Sequence, residues 1–204
     1  MTTVLCYGDS NTWGADPASG RRFGPLVRWP GILQTQLGAH YAVVEEGLPG
    51  RTTVWDDPVE DHKNGLRYLP PCLDTHQPDV VILLLGTNDL KHRFGLSPWD
   101  IASGAAKLAA LVQATPLFES NGPPRLLLAC PPPIQEMGDF AEMFSGGAEK
   151  SRSLAPYFQA AAAQLHCEFM DVGTLVRSST QDGIHWEAGE HRALGLALAK
   201  RLQA

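Results

Sequence analysis

The chain has 204 residues, of which 44% are hydrophobic, and carries 16 Lys+Arg against 22 Asp+Glu for a net charge of -6. Surface scaling gives roughly 9,000 Å² accessible when folded against about 32,000 Å² for the open chain, so one core over residues 1–204 needs no metal or disulfide staple. The acidic balance without a basic run excludes a nucleic-acid binder, and the longest aliphatic run, Val80 to Leu85, falls far short of the roughly 20 residues a membrane helix needs.

The N-terminus, Met1-Thr2-Thr3, has no Lys or Arg, and only Val4 to Tyr7 follow before Gly8 and Asp9. That stretch is too short for the core of a secretion signal, which points to a cytoplasmic protein. Val4–Tyr7 reads instead as a first strand. Pro30 then opens a helix that Gly38 closes. Ala42–Glu46 and Val80–Leu85 are the next strands. Ser97-Pro98 begins a capped helix with Ile101, Ala105, Leu108 and Val112 along one face. Leu126–Cys130 is a fourth strand. Ala148–Leu165 is Ala-rich and helical, with Pro156 expected to kink or break it. Glu168–Val172 is a fifth strand, and Glu187–Leu202 ends the chain as a helix with Leu194, Leu198 and Leu202 on one side.

Short, continuously apolar strands alternating with helices predict an α/β protein, a parallel sheet covered on both faces. Ligands then bind beyond the carboxyl ends of the strands. Asp16–Arg28, Asp56–Leu69 and Pro131–Gly147 read as long loops, which are more often functional than idle. Met137, Phe140, Met143 and Phe144 in the last of these read either as a short helix on the core or as a lid or oligomer contact. Cys6, Cys72, Cys130 and Cys167 are widely spaced and lack a C-x-x-C, which suits free thiols in a reducing compartment and not a disulfide framework or zinc site.

Four short polar segments follow or close these elements: Gly8-Asp9-Ser10-Asn11, Glu46-Gly47-Leu48-Pro49-Gly50-Arg51, Gly86-Thr87-Asn88-Asp89 and Asp182-Gly183-Ile184-His185. Each alone has a plain structural explanation. Asp9 or Ser10 can be a helix cap, Asn88 a cap or an Asx-turn, and Gly50 a positive-φ turn residue. An Asp-x-x-His pair is unremarkable in a chain with seven histidines. Together they say more. A serine nucleophile needs a base, an orienter for that base, and donors for an oxyanion. Ser10, His185 and Asp182 supply the first three. The N–H of Ser10, the N–H of Gly50 and the amide of Asn88 supply the donors.

On these blocks the chain resembles the SGNH (GDSL-type) hydrolases, whose Ser, Gly, Asn and His match Ser10, Gly50, Asn88 and His185, with Asp182 completing a triad. Asn11 stands where the name-giving motif has Leu. Further segments are similar to the bacterial arylesterase branch: Trp13-Gly14, Arg28-Trp29, Glu45-Glu46-Gly47, Arg51-Thr52-Thr53, Asp57-Pro58, Asn64-Gly65, Tyr68-Leu69-Pro70, Pro131-Pro132-Pro133 and Gly146-Gly147-Ala148-Glu149-Lys150. The resemblance implies a three-layer α/β/α sandwich with five parallel strands in flavodoxin-like order. It implies a cofactor-free carboxylic ester hydrolase acting on short aryl and alkyl esters, some members also transferring acyl groups to alcohols or hydrogen peroxide. It also implies oligomers built through long surface loops.

Trp13 is expected to wall an acetyl-sized acyl site, the alternative being that it packs under the first loop. Asp9 and Ile184, beside the nucleophile and the base, join it as substrate-binding candidates. Phe23, Trp29, Ile134, Met137 and Phe144 are further pocket or interface candidates. Thioesterase, lysophospholipase and sugar O-deacetylase activities stay open within the family. From other classes, a metal-dependent hydrolase using Asp9, Asp89, Asp182 and His185, or a non-catalytic binding module on the same fold, are the rivals.

Overall fold

A computed structural model describes residues 1–116 and 122–203. Five parallel strands form one sheet: β1 (Thr2–Gly8), β2 (Tyr41–Gly47), β3 (Val80–Leu84), β4 (Arg125–Cys130) and β5 (Glu168–Asp171), in the order β2-β1-β3-β4-β5. This is the flavodoxin-like order, and its direction reverses between β1 and β3. The helices are α1 (Ser10–Trp13), α2 (Trp29–Leu37), α3 (Gly65–His76), α4 (Pro98–Ala114), α5 (Gly147–Arg152), α6 (Leu154–Gln164) and α7 (Ala188–Gln203).

Alternation along the strands sorts the core into two halves. Leu5, Tyr7, Val81, Leu83, Leu126 and Leu128 face one way, against Leu69 and Leu73 of α3, Ile101 and Leu108 of α4, and Phe158 of α6. Val4, Cys6, Ile82, Leu84, Leu127 and Ala129 face the other, against Trp29 and Leu33 of α2 and Leu194 and Leu198 of α7. Both faces of the inner strands β1, β3 and β4 are buried, so these read as nearly unbroken apolar runs, while the edge strands β2 and β5 are half-buried and carry acidic residues. The accessible surface is 9302 Å², close to the scaling expectation.

Two expectations need correcting. Residues 65–69 are not loop, because α3 starts at Gly65 and carries Pro70 and Pro71 inside it. Two prolines remove two helical donors, which argues against a helix on local grounds. The Asn64 side chain accepts the Leu66 N–H as an N-cap, and burial of Leu69 and Leu73 offsets the loss. The second correction is at Pro156, which breaks nothing. The chain breaks at Ser153, and Pro156 sits in the first turn of α6, where helical N–H groups have no partner anyway. No helix among the described residues is long and apolar enough to cross a membrane. All four cysteines are free thiols, and burial pushes those of Cys6 and Cys130 well up.

Candidate active site

The rim at the carboxyl ends of β1, β2 and β3 gathers the first three polar segments, and the loop before α7 brings the fourth. Beyond β1 the chain turns at once into α1. Asp9, not Ser10, is the cap: its carboxylate accepts the Asn11 N–H at 2.9 Å. The Ser10 hydroxyl is thereby free of the helix end and lies 3.0 Å from His185 Nε2. On the other side of the ring, Nδ1 is 2.6 Å from Asp182 Oδ2. The second oxygen of Asp182 accepts the N–H groups of Ile184 and His185, each at 2.9 Å. Burial alone would raise the Asp182 carboxyl, but the imidazole and these two N–H groups outweigh it and hold it below its ordinary value. The carboxylate is therefore charged and fixed, and it holds the Nδ1 proton so that Nε2 is left to accept from Ser10.

Asn11 does a job its place in the motif does not reveal. Its amide donates to the Ile184 carbonyl at 3.3 Å, so the turn of the serine is tied to the loop of the histidine.

The glycine of the second segment is required by geometry. Gly50 has φ +81, and a Cβ there would lie 2.8 Å from Glu60 Oε2 and 3.0 Å from Lys63 Cε. Gly47, ending β2, packs so closely on α1 that a Cβ would come within 2.1 Å of the Trp13 nitrogen. Asn88 opens a short 3-10 turn after β3 and donates its amide to the Arg51 carbonyl at 3.2 Å.

Ser10, Gly50, Asn88, Ile184 and His185 line one cavity of about 320 Å³. Its apolar side is Phe140, Met143, Phe144 and Ile184; its polar side is Glu60, Lys63 and Lys91. Phe140 meets the His185 ring edge-on, with centroids 5.7 Å apart. The 131–147 segment therefore covers the base. Trp13 and Asp9 are placed elsewhere. The guanidinium of Arg22 lies 5.4 Å over the half-buried Trp13 ring while its Nε donates to the Trp13 carbonyl, and Trp13 is not among the residues lining this cavity. Asp9 is 2% exposed and spent on its cap. Of the five further candidates, Trp29 is core and Phe23 packs edge-on against buried His191, and Phe144 alone of Phe23, Trp29, Ile134, Met137 and Phe144 lines the cavity.

Beneath the polar side lies a cluster no local pattern announced. Lys91, 2% exposed, pairs with Asp57 at 3.3 Å and Glu60 at 2.6 Å, and Arg93 pairs with both acids at 2.6 Å. Burial would raise Asp57, but Arg93, two backbone N–H groups and Lys91 hold it at about 2. Two carboxyls elsewhere in the rim go the other way. Burial pushes Asp9 to about 6 and Asp89 to about 7, the latter despite accepting from the N–H and hydroxyl of Thr53. Among the described residues, no three His, Cys, Asp or Glu side chains gather as a metal-binding group. Asp9, Asp89 and Asp182 are each committed to other partners.

Fold and site together define the class, a serine hydrolase on a flavodoxin-like sheet. The chain belongs to the GDSL-like lipase/acylhydrolase family, whose sequence model matches residues 6–192. The solved native aryl esterase of M. smegmatis is 42% identical, with a TM-score of 0.95 over 100% of this chain and 99% of that one. A carbohydrate acetylesterase family member from Sinorhizobium meliloti is 40% identical, with a TM-score of 0.94 over 100% of this chain and 98% of that one. An arylesterase from Vibrio mimicus is 34% identical over 88 residues, 42% of this chain and 38% of that protein, so the match spans well under half of that relative.

Proposed function

We propose that the protein is a carboxylic ester hydrolase acting on short-chain aryl and alkyl esters, acetates above all, through an acyl-serine intermediate. The observation that carries this reading is the unbroken chain Asp182–His185–Ser10 on the wall of a cavity that also holds Gly50 and Asn88.

In the first half-reaction the Ser10 oxygen attacks the ester carbonyl as His185 Nε2 takes its proton. Asp182 keeps the ring in the accepting tautomer and stabilises the imidazolium. The carbonyl oxygen gains a negative charge, met by the N–H of Ser10, the N–H of Gly50 and the amide of Asn88. The tetrahedral species collapses, the C–O bond to the alcohol breaks, and His185 returns the proton to the leaving oxygen. Water then repeats the sequence on the acyl-serine and releases the acid. An alcohol or hydrogen peroxide in place of that water gives a new ester or a peracid instead.

The partner is thus a small-molecule ester. The cavity of about 320 Å³, apolar on one side, suits a short acyl group or a single ring. A sugar O-acetyl substrate is the second reading, supported by the Sinorhizobium neighbour and by the polar side at Glu60 and Lys63. Four free thiols suit a cytoplasmic setting. Self-association through the long loops belongs to the same reading, with Leu26 and Val59 exposed on two of them.

The test is a p-nitrophenyl ester series of rising acyl length, with Ser10→Ala as control and organophosphate labelling to find the nucleophile. Turnover falling with chain length, label on Ser10 and loss of activity in the variant are expected. Turnover of p-nitrophenyl acetate by Ser10→Ala well above background would overturn the assignment.

A further inference from the structure

Arg51 follows Gly50 directly and is 4% exposed. Burying a guanidinium is costly unless a carboxylate meets it, because its hydration is lost. Among the described residues Arg51 makes no ion pair. Its Nε–H has no hydrogen-bond partner either. What it does instead is specific. Nη1 donates to the Gly8 carbonyl at 2.8 Å and to the Glu46 carbonyl. These carbonyls lie at the ends of β1 and β2, where the serine and glycine segments begin. The guanidinium carbon lies 4.1 Å over the ring of Tyr7. Its own carbonyl accepts from the Asn88 amide.

One residue therefore touches all three segments that converge on the oxyanion. An amide has two N–H donors, and the bond to the Arg51 carbonyl occupies one and fixes the direction of the other. A buried cation with no carboxylate in ion-pair contact is a costly way to hold a loop, and the cost is explained if the loop's position is what matters.

We propose that Arg51 is the positioning residue of the oxyanion site. It clamps the ends of β1 and β2 together, sets the peptide that carries Gly50, and through its carbonyl aims the Asn88 amide at the developing charge. This rests on the assignment of Ser10, Gly50 and Asn88 above.

The test uses Arg51→Met and Arg51→Lys, with kcat and KM for p-nitrophenyl acetate and the inhibition constant of phenylboronic acid, which forms a tetrahedral anion on a serine. An organophosphonate titration counts competent sites, and a thermal melt checks folding. Arg51→Met is expected to lose kcat about 10²-fold with KM within about threefold, and to bind the boronate more weakly by a similar factor. Arg51→Lys, which keeps a donor and a charge, is expected to recover part of both losses. In an Asn88→Ala background the Arg51→Lys loss should shrink but persist, since one of the three donors it holds is gone.

Folded variants within about threefold of wild type in kcat would overturn the proposal. So would losses explained wholly by fewer titratable sites, losses that multiply with Asn88→Ala, or failure of both variants to fold, which would assign Arg51 to stability alone. If the underlying reading of the site were wrong, wild type itself would show no label on Ser10.

Discussion

Asp182→Asn isolates the orientation of the base from its presence. Asp182 Oδ1 accepts two N–H groups at 2.9 Å, and an asparagine carbonyl in the same place keeps both. The NH2 group then occupies the position of Oδ2, 2.6 Å from His185 Nδ1. An NH2 cannot accept, so Nδ1 must, and the ring proton moves to Nε2. That atom faces Ser10 Oγ at 3.0 Å and no longer takes the serine proton. Geometry survives while the tautomer is wrong, a change that lowers kcat by about 10⁴. At about 1.4 kcal/mol per factor of ten, the barrier rises by roughly 5–6 kcal/mol. KM should scarcely move, because the cavity wall is unchanged. Asp182→Ala differs in a readable way. It also strips both backbone donors of their acceptor, at about 1–3 kcal/mol for each if it stays dry. The assay is steady-state hydrolysis of p-nitrophenyl acetate beside a thermal melt. Asp182→Asn should melt near wild type and Asp182→Ala several degrees lower. An Asp182→Asn enzyme within tenfold of wild type in kcat, correctly folded, would refute the tautomer argument.

Asn88→Ala should lose kcat by about 10²–10³ with a modest change in KM, read in the same assay; a loss below threefold would remove it from the oxyanion site. Phe140→Ala opens the apolar side beside His185, so turnover of butanoate and hexanoate esters should rise relative to acetate, and an unchanged chain-length profile would count against that wall. Asp89 is raised by burial from 3.8 to about 7, so between those values the folded state binds more protons than the unfolded chain, and its contribution to stability falls as pH rises through that window. Asp89→Asn keeps an acceptor for Thr53 but cannot titrate. Its melting temperature relative to wild type should therefore climb between about pH 4 and pH 7 and level off above, and a pH-independent difference would sink the argument.

The strands were legible because a sheet buried on both faces leaves nothing polar to interrupt Val80–Leu84 or Leu126–Cys130. The order of the sheet came only with the family resemblance, since hydrophobic runs carry no neighbour relations. For the site, chemistry by residue type located all four segments, but two adjacent residues could not be ranked locally. Asp9 and Ser10 are equally good caps, and a partner 175 residues away decides between them. Helix α3 was hidden by Pro70-Pro71, because local backbone cost is visible in a sequence and the compensating burial of Leu69 and Leu73 is not. Trp13 shows a related limit: nearness to Ser10 along the chain does not say which cavity an indole lines, and the Arg22 that stacks on it lies nine residues on. The cluster of Asp57, Glu60, Lys91 and Arg93 left no signal, since charges about 30 residues apart look like ordinary surface until the fold pairs them.

The separation of 175 residues between Ser10 and His185 also sets a clock. At about 5–20 residues per second, the nucleophile is made roughly 9–35 s before its base. A nascent chain is thus catalytically silent until α7 and the loop before it close against β1. Turnover is in effect a reporter of completed folding, without a dye or a tag. Cut at a surface loop between these two residues, the halves would be inert apart and active only on reassembly, the behaviour wanted of a split-enzyme sensor.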